Sequence, residues 1–463
     1  MAVIVIVLLL CFVSLCFFVA LLKWNEMKYR RKGLPPGTMG WPLVGETTEF
    51  LKQGPAFMKN QRARYGNFFK THFLGCPTIV CMDPELNRFI LMNESKGFVP
   101  GYPQSMLEIL GKQNIAAVHG AAHKKMRGAL LSVINPTMIK HQLLPNLDVF
   151  MRNFLANWDD KIIDIQAKTK EMALFSALKQ ISGLDSGPWL EAFVGEFFKL
   201  VRGTLSLPIN LPGTNYHLGL QARKKIVMML DQLVQERRNS KKSYQDMLGE
   251  LMKTEDNRFE LTDEEIIDQI ITVLYSGYET ISTTSMMAVK YLHDHPRALE
   301  ELRKENVSLR EKKLSEDPLN SDDLKSLSFT RAVIYETSRL ATVVNGVLRK
   351  TTRDIELNGF IIPKDWRIYV YTRESNYDTH LFPDPLCFNP WRWLDRSLEN
   401  QNIFFFGGGT RLCPGKELGI AESSTFLHYL VTRYRWEEMG GQKLVEFPRV
   451  EAPHGLHMRF SSC

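Results

Sequence analysis

Phe406-Gly407-Gly408-Gly409-Thr410-Arg411-Leu412-Cys413-Pro414-Gly415 is the stretch on which the fold turns, and a helical pattern runs on from Lys416 to about Tyr434. Its local chemistry places Cys413 at a helix N-cap and Pro414 at the first helical position, where a missing N–H costs nothing. The free N–H groups of that first turn then face the sulfur. Such donors, with the helix dipole, favour a thiolate, the form that binds metal. The glycines before the cysteine let the backbone pass flat against a large planar ligand. A phosphate-binding loop would need Gly at position 410 and Ser or Thr after Lys416, where Thr410 and Glu417 stand. A structural zinc site would need partner ligands at short spacing, and neither Cys-x-x-Cys nor a nearby histidine is present. A cysteine nucleophile with a distant histidine base stays open but gives no reason for the glycines and Arg411. A buried structural cysteine is the plainest alternative.

The pattern Phe-x-x-Gly-x-Arg-x-Cys-x-Gly, met by Phe406, Gly409, Arg411, Cys413 and Gly415, resembles the haem-binding signature of the cytochrome P450 family. Two further segments follow that resemblance in the family's order: Glu336-x-x-Arg339, and Phe388-Asn389-Pro390-Trp391-Arg392-Trp393. With the N-terminal segments included, the resemblance covers essentially the full length. It implies a single large fold, mainly α with small β-sheets (α+β), built around haem b with Cys413 as the iron's axial ligand. It also implies consumption of O2 and of NADPH electrons delivered by a membrane-bound NADPH-cytochrome reductase. Glu336 and Arg339 alone would read as a surface i, i+3 pair. Their apolar neighbours Ala332, Val333, Ile334 and Leu340 instead suggest a desolvated pair in need of further hydrogen bonds, and the resemblance supplies Arg392 as the third member.

Thr262 followed by Glu265 makes a capping box, and helix-compatible residues continue to His295 before Pro296. That is roughly 33 residues, or about 50 Å, enough to cross a whole domain. Its middle, Ser276-Gly277-Tyr278-Glu279-Thr280, puts a glycine, a carboxylate and a hydroxyl between flanks that read as buried. By periodicity alone this is either a kink with its own satisfied hydrogen bonds or a site. The resemblance matches Gly277, Glu279 and Thr280 to the family's proton-delivery motif, with Ser276 departing from the usual Ala or Gly. It implies that Thr280 hydrogen-bonds iron-bound dioxygen and Glu279 relays protons. His119 and His123 are spaced i, i+4 and could bind zinc, but Gly120 stands where a zincin has its glutamate. The resemblance instead places His123 and Arg127 at positions that bind haem propionates, with a tryptophan replaced by His123. Arg349 and Arg411 are the better-matched propionate partners, since a guanidinium pairs well with carboxylates.

Ala2 to Leu22 holds only apolar residues and Ser14, about the ~20 residues needed to cross a bilayer core. Basic Lys23, Lys28, Arg30, Arg31 and Lys32 follow the run, the order of an uncleaved signal anchor with the body on the cytoplasmic side, at the endoplasmic reticulum membrane. The expected organisation is therefore a single-pass transmembrane anchor over 1–22, a basic juxtamembrane segment over 23–33, a Pro/Gly-rich hinge over 34–46 and the enzyme domain over 47–463. Three prolines and three glycines between Leu34 and Gly45 rule out a continuous helix. They suggest a stiff linker orienting the body, or simply a spacer.

Helices are expected over Thr137 to Trp158 and Ala222 to Arg238, and β-rich runs over Phe68 to Phe73, Thr78 to Met82 and Phe360 to Tyr371. Seven cysteines, two of them in the apolar run, show no disulfide framework, in keeping with a reducing compartment. The net charge of +7 suits a surface near anionic membrane lipid. No basic patch interleaves with aromatics as nucleic-acid binding would require, so no nucleic acid is expected as partner.

Within the family, Pro35-Pro36-Gly37-Thr38-Met39-Gly40-Trp41-Pro42 with Gly45-Glu46-Thr47, then Tyr275-Ser276-Gly277-Tyr278-Glu279-Thr280, Leu348-Arg349-Lys350-Thr351-Thr352-Arg353 and Tyr377-Asp378, are similar to plant steroid-hormone oxidases, above all the brassinosteroid 6-oxidases. That similarity implies oxidation at C-6 of 6-deoxo steroids, 6-deoxocastasterone to castasterone through a 6-hydroxy intermediate, with some relatives continuing to the lactone brassinolide. The alternatives are a related plant terpenoid or steroid hydroxylase acting on a gibberellin precursor, an abscisic acid or another brassinosteroid position, and a non-catalytic haem-binding protein. Asp365 sits where similar sequences usually have glycine, and the sequence offers no functional account of it.

Overall fold

The computed structural model of the chain describes residues 2–42, 44–184, 187–240, 242–253, 259–314, 317–395, 398, 404–441 and 443–463. In chain order the described strands are β1 (Phe68–Phe73), β2 (Cys76–Cys81), β3 (Phe98–Pro100), β4 (Ile162–Asp164), β5 (Gly346–Thr351), β6 (Ile355–Leu357), β7 (Phe360–Ile362), β8 (Arg367–Tyr371), β9 (Tyr434–Glu438) and β10 (His457–Ser462). Helices make up most of the rest, as expected. The chain packs as two compact units, one made of Met1–Gly101, Asn345–Ser375 and Gly408–Thr410, the other of Tyr102–Val344, Asn376–Gly407 and Arg411–Cys463.

The first unit is built on a five-stranded sheet of order β1-β2-β8-β5-β3. Its strands are rich in aromatic and β-branched residues, and all five residues of β8 are buried, as a strand packed on both faces requires. The β-rich run Phe360 to Tyr371 is two strands rather than one, because Pro363 breaks it and Asp365 takes a left-handed φ of 65°. That conformation explains the aspartate: the position favours glycine, and Asp is among the few side chains that tolerate it. The proline-rich linker is fixed to this unit. Lys70 N donates to Pro36 O at 2.8 Å, Met39 is buried, and Arg31 pairs with Asp354 at 2.6 Å.

Ala2–Leu22 forms a 21-residue helix on which Leu8, Leu9, Leu10, Phe12, Leu15 and Phe17 are all exposed. The side chains of residues 2–4, 7 and 22 lie outside the described set. Among the described residues no helix is long and apolar enough to cross a membrane.

The second unit is the helical mass. Its long central helix is Asp263–Asp294, capped as expected, with Glu265 N donating to Thr262 Oγ1 at 3.2 Å and Thr262 N to Glu265 Oε2 at 2.8 Å. The helix expected over Thr137 to Trp158 is interrupted by a π-turn, Ile139–Leu143, directly before Leu144-Pro145. Pro145 has no N–H for the regular ladder, and a widened turn accommodates it. The helix expected from Ala222 starts earlier, at Asn215, where Thr214 Oγ1 accepts from His217 N at 3.2 Å. A small sheet of order β4-β10-β9 completes the unit.

Two apolar clusters share the central helix. Ile266, Ile270, Ile271 and Leu274 pack into one, while Met286, Val289 and Leu292 pack into the other with Phe426, Leu427 and Leu430 of the helix Lys416–Arg433. Between them, Tyr275, Gly277, Glu279, Thr280 and Ile281 are only partly buried and Ser276 is exposed. Tyr278 in the middle packs into the first cluster, but the less buried residues around it leave a gap on the other face of the helix, and that gap positions the site.

Candidate active site

The Cys413 loop is closed by one backbone bond, from Cys413 N to Phe406 O at 2.9 Å. The helix that follows begins at Lys416, with Gly415 rather than Cys413 at its cap, because Pro414 and Gly415 form a turn first. The sulfur is nevertheless met by a donor, the Gly415 N–H, and by the charges of Arg127 and Lys416, all of which favour a thiolate. Burial outweighs them and raises the thiol above its ordinary value. A bound metal cation reverses that balance, since a coordinated thiol is held deprotonated. Gly409 has its own structural reason: at φ 64° an added Cβ would stand 2.4 Å from Leu91 O. Lys416 Nζ lies 5.5 Å above both the Phe406 and the Tyr335 rings, so it is held by aromatic faces.

The loop rests on a buried ionic network. Glu336 and Arg339, on the helix Ser328–Ala341, have fully buried side chains and are joined by two bonds of 2.7 and 2.9 Å. Glu336 also accepts from Arg392 Nε at 3.2 Å, Trp393 Nε1 at 2.7 Å and Asn389 N at 2.9 Å. Arg339 gives further donors to Asn376 O and Pro385 O, both at 2.7 Å. Every strong lone pair and donor is spent, the condition under which a buried pair is tolerated. Trp393 is the member that sequence reasoning quoted without assigning a role.

Arg127, on the helix Gly120–Val133, donates to Leu412 O at 2.8 Å, and its guanidinium is close enough to Cys413 and Arg411 to feel both charges. His123 is buried one turn before it on the same helix. Arg411 spends Nη1 on Ile115 O at 2.8 Å and Nη2 on Val118 O at 2.5 Å. Arg349 is buried on β5, in the first unit. His119 and His123 join no third metal ligand among the described residues. The one such cluster there, His293, Asp294 and Glu438, already holds the Lys290 ammonium at 2.7 and 2.8 Å.

In the gap of the central helix, Thr280 Oγ1 donates to Ser276 O at 2.8 Å, and Glu279 is paired with Arg449 at 2.8 Å. Arg449 also reaches Glu451 at 2.6 Å, and Glu451 meets Lys170 at 3.4 Å. The kink and the site were alternatives in the sequence; here the hydroxyl is satisfied within the helix and still lines the gap. Burial raises the Glu279 carboxyl, and Arg449 opposes that rise. Arg449 was invisible to sequence reasoning, since the two residues are 170 positions apart.

The gap suits a flat group. A Cβ added at Gly415 would meet nothing within 4 Å, and at Gly277 or Gly419 nothing nearer than Ile281, at 3.9 Å in each case. A partly buried thiol, a glycine-faced space and the neighbouring Arg127 and Arg411 cations form a donor set for a dicarboxylate macrocycle whose metal takes sulfur. The residues fit haem.

A profile of the cytochrome P450 family matches residues 35–452. The chain belongs to the cytochrome P450 family. It is similar to Cytochrome P450 85A of Phaseolus vulgaris, 70% identical over 459 residues that cover 99% of this chain and 97% of the relative. It is 65% identical to Cytochrome P450 85A2 of Arabidopsis thaliana over 463 residues, 100% of each. At 36% identity it resembles the 3-epi-6-deoxocathasterone 23-monooxygenase CYP90D1 of Arabidopsis thaliana, over 91% of this chain and 88% of that one. Among solved structures, retinoic acid bound cyanobacterial CYP120A1 superposes with a TM-score of 0.84 at 28% identity, covering 93% of this chain and 99% of that one. As a cytochrome P450 the protein is a monooxygenase that uses thiolate-ligated haem iron, O2 and NADPH-derived electrons, with a redox partner and a small-molecule substrate.

Proposed function

We propose that the protein is a brassinosteroid C-6 oxidase, converting 6-deoxocastasterone to castasterone through the 6-alcohol. The observation that carries this reading is identity of 63–70% to the Cytochrome P450 85A relatives along nearly the whole chain. The 6-deoxo steroid in the name of the more distant relative points to the same substrate class. In the first step the substrate, O2, NADPH and a proton give the alcohol, NADP+ and one water. In the second, the alcohol with a further O2, NADPH and proton gives the ketone, NADP+ and two waters. A later oxidation to the lactone would reuse the same site.

When bound, the haem supplies O2 activation, with the thiolate pushing electron density that favours O–O cleavage. Cys413 Sγ would be its ligand, steadied by the Gly415 N–H, while Arg127, Arg411 and His123 would serve its carboxylates. Phe406, Gly409 and Gly415 shape the loop. Thr280 Oγ1 gives its own proton to Ser276 O, which leaves oxygen lone pairs free to accept a proton and pass one on. Glu279 supplies that proton from a carboxyl raised by burial. Thr280→Ala should therefore waste NADPH without product; full coupling in that variant would remove Thr280 from the role.

The apolar helix Ala2–Leu22, with its exposed side chains and following basic residues, anchors the protein in the endoplasmic reticulum membrane with the catalytic part on the cytoplasmic side. The exposed run Leu205, Leu207, Ile209 and Leu211 adds a second apolar surface for lipid. The electron donor is an NADPH-cytochrome reductase of the same membrane.

A turnover panel tests the substrate assignment. The reconstituted protein is offered 6-deoxocastasterone, a gibberellin precursor and abscisic acid, with products identified by mass spectrometry. Conversion of the steroid alone supports the proposal, and preferential conversion of either terpenoid overturns it.

A further inference from the structure

Residues 111–118 form the loop between the helices Gln104–Leu110 and Gly120–Val133. Their backbone groups are almost fully committed. Asn114, completely buried, accepts from Ala116 N at 2.7 Å and Ala117 N at 3.1 Å and donates to Gly111 O at 2.6 Å. Gln113 N donates to Asp268 Oδ2 at 3.0 Å and Ile115 N to Gln269 Oε1 at 3.1 Å, both on the central helix. The carbonyls of Ile115 and Val118 are taken by Arg411, two residues before Cys413. Ile115 is thus gripped from both sides, its N–H by the central helix and its C=O by the Cys413 loop.

Asp268 is built for this position. It is 1% exposed, it binds Arg223 Nη2 at 2.5 Å, and Arg223 Nη1 reaches Ile109 O at 3.3 Å. Gly111, at φ 108°, lets the loop approach the carboxylate, since a Cβ there would stand 2.2 Å from Asp268 Cγ. Gln269 is also 1% exposed; among the described residues its Nε2 has no hydrogen-bond partner, while its Oε1 accepts from Ile115 N. A buried amide left half unsatisfied carries a cost that packing alone gives no reason to retain.

We propose that Asp268 and Gln269 are positioning residues that hold the 111–118 loop as a rigid strut between the central helix and the Cys413 loop, and through Ile115 set the guanidinium of Arg411. The strut is a fixed wall of the site, and substrate selection acts on its shape as built. The inference rests on Cys413 being the centre of the site and does not depend on which steroid or terpenoid is oxidised.

Hydrogen exchange of the full-length holoenzyme, read by mass spectrometry on peptides spanning 111–118, tests it without substrate. In the unaltered protein the amides of 113 and 115–118 should exchange as slowly as those of the adjoining Gly120–Val133 helix; rapid exchange there would overturn the proposal. Gln269→Met removes the acceptor at nearly constant volume and should speed Ile115 exchange about tenfold, the equivalent of one lost hydrogen bond. Gln269→Glu, which keeps an acceptor oxygen, should restore much of the protection. Arg411→Lys loses the two-carbonyl fork, and its effect on the same amides should be non-additive with Gln269→Met. Acceleration spread evenly over all peptides, or additive effects of the two changes, would mean that no strut links the two sites.

Discussion

Arg449 Nη1 stands 2.8 Å from Glu279 Oε1, so the carboxylate at the centre of the long helix is held by a residue near the C-terminus. The Glu279 carboxyl is raised by burial, and Arg449 is the largest influence in the opposite direction. Arg449→Gln removes that opposition, so the carboxyl should keep its proton to higher pH. The fraction of NADPH consumption that ends in product, followed against pH, should show its basic limb moved upward in Arg449→Gln and restored by Arg449→Lys. An unmoved profile would show that Arg449 does not govern Glu279.

Glu336 collects five donor contacts in a site from which water is excluded. Glu336→Ala leaves Arg339 charged, buried and stripped of its carboxylate, a change worth about 3–5 kcal/mol. The expected result is a large drop in thermal stability and loss of haem retention, read by calorimetry and by the absorbance of the purified protein. Arg392→Lys keeps a charge but loses the guanidinium geometry and should cost less.

Glu422 lies fully buried on the helix that follows the Cys413 loop, with Ser176 as its hydrogen-bond partner, and burial pushes its carboxyl up to about 8 from an ordinary 4.5. The folded chain therefore keeps a proton that the unfolded chain releases once pH passes its ordinary value. Stability from this group is present at low pH, declines as pH rises from about 4.5 to about 8, and is flat beyond. Glu422→Gln, which stays neutral, should lack the decline. In denaturant titrations its advantage over the unaltered protein should grow between those limits; a constant difference would contradict the assignment.

Short-range chemistry was legible in the sequence and long-range pairing was not. The capping box of Thr262 and Glu265, the Cys413 motif and the Glu336–Arg339 pair sit within a few residues of themselves, so spacing alone exposed them. The π-turn before Pro145 and the left-handed Asp365 could be explained only once the backbone was in view. Arg449 and Glu279 are 170 positions apart, and Ile115 and Arg411 are 296 apart, with no local pattern announcing either contact. The helix start also shifted, because Pro414 and Gly415 form a turn where a helical first turn was expected.

The most direct test of the account supplies the full chain, its reductase and NADPH with 6-deoxocastasterone under isotopically heavy O2, with Cys413→Ser in parallel. The account predicts that the first product is the 6-alcohol carrying one heavy oxygen at C-6, that it passes on to castasterone, and that Cys413→Ser makes neither. Oxygen appearing at another carbon, or turnover that survives loss of the thiolate, would contradict it.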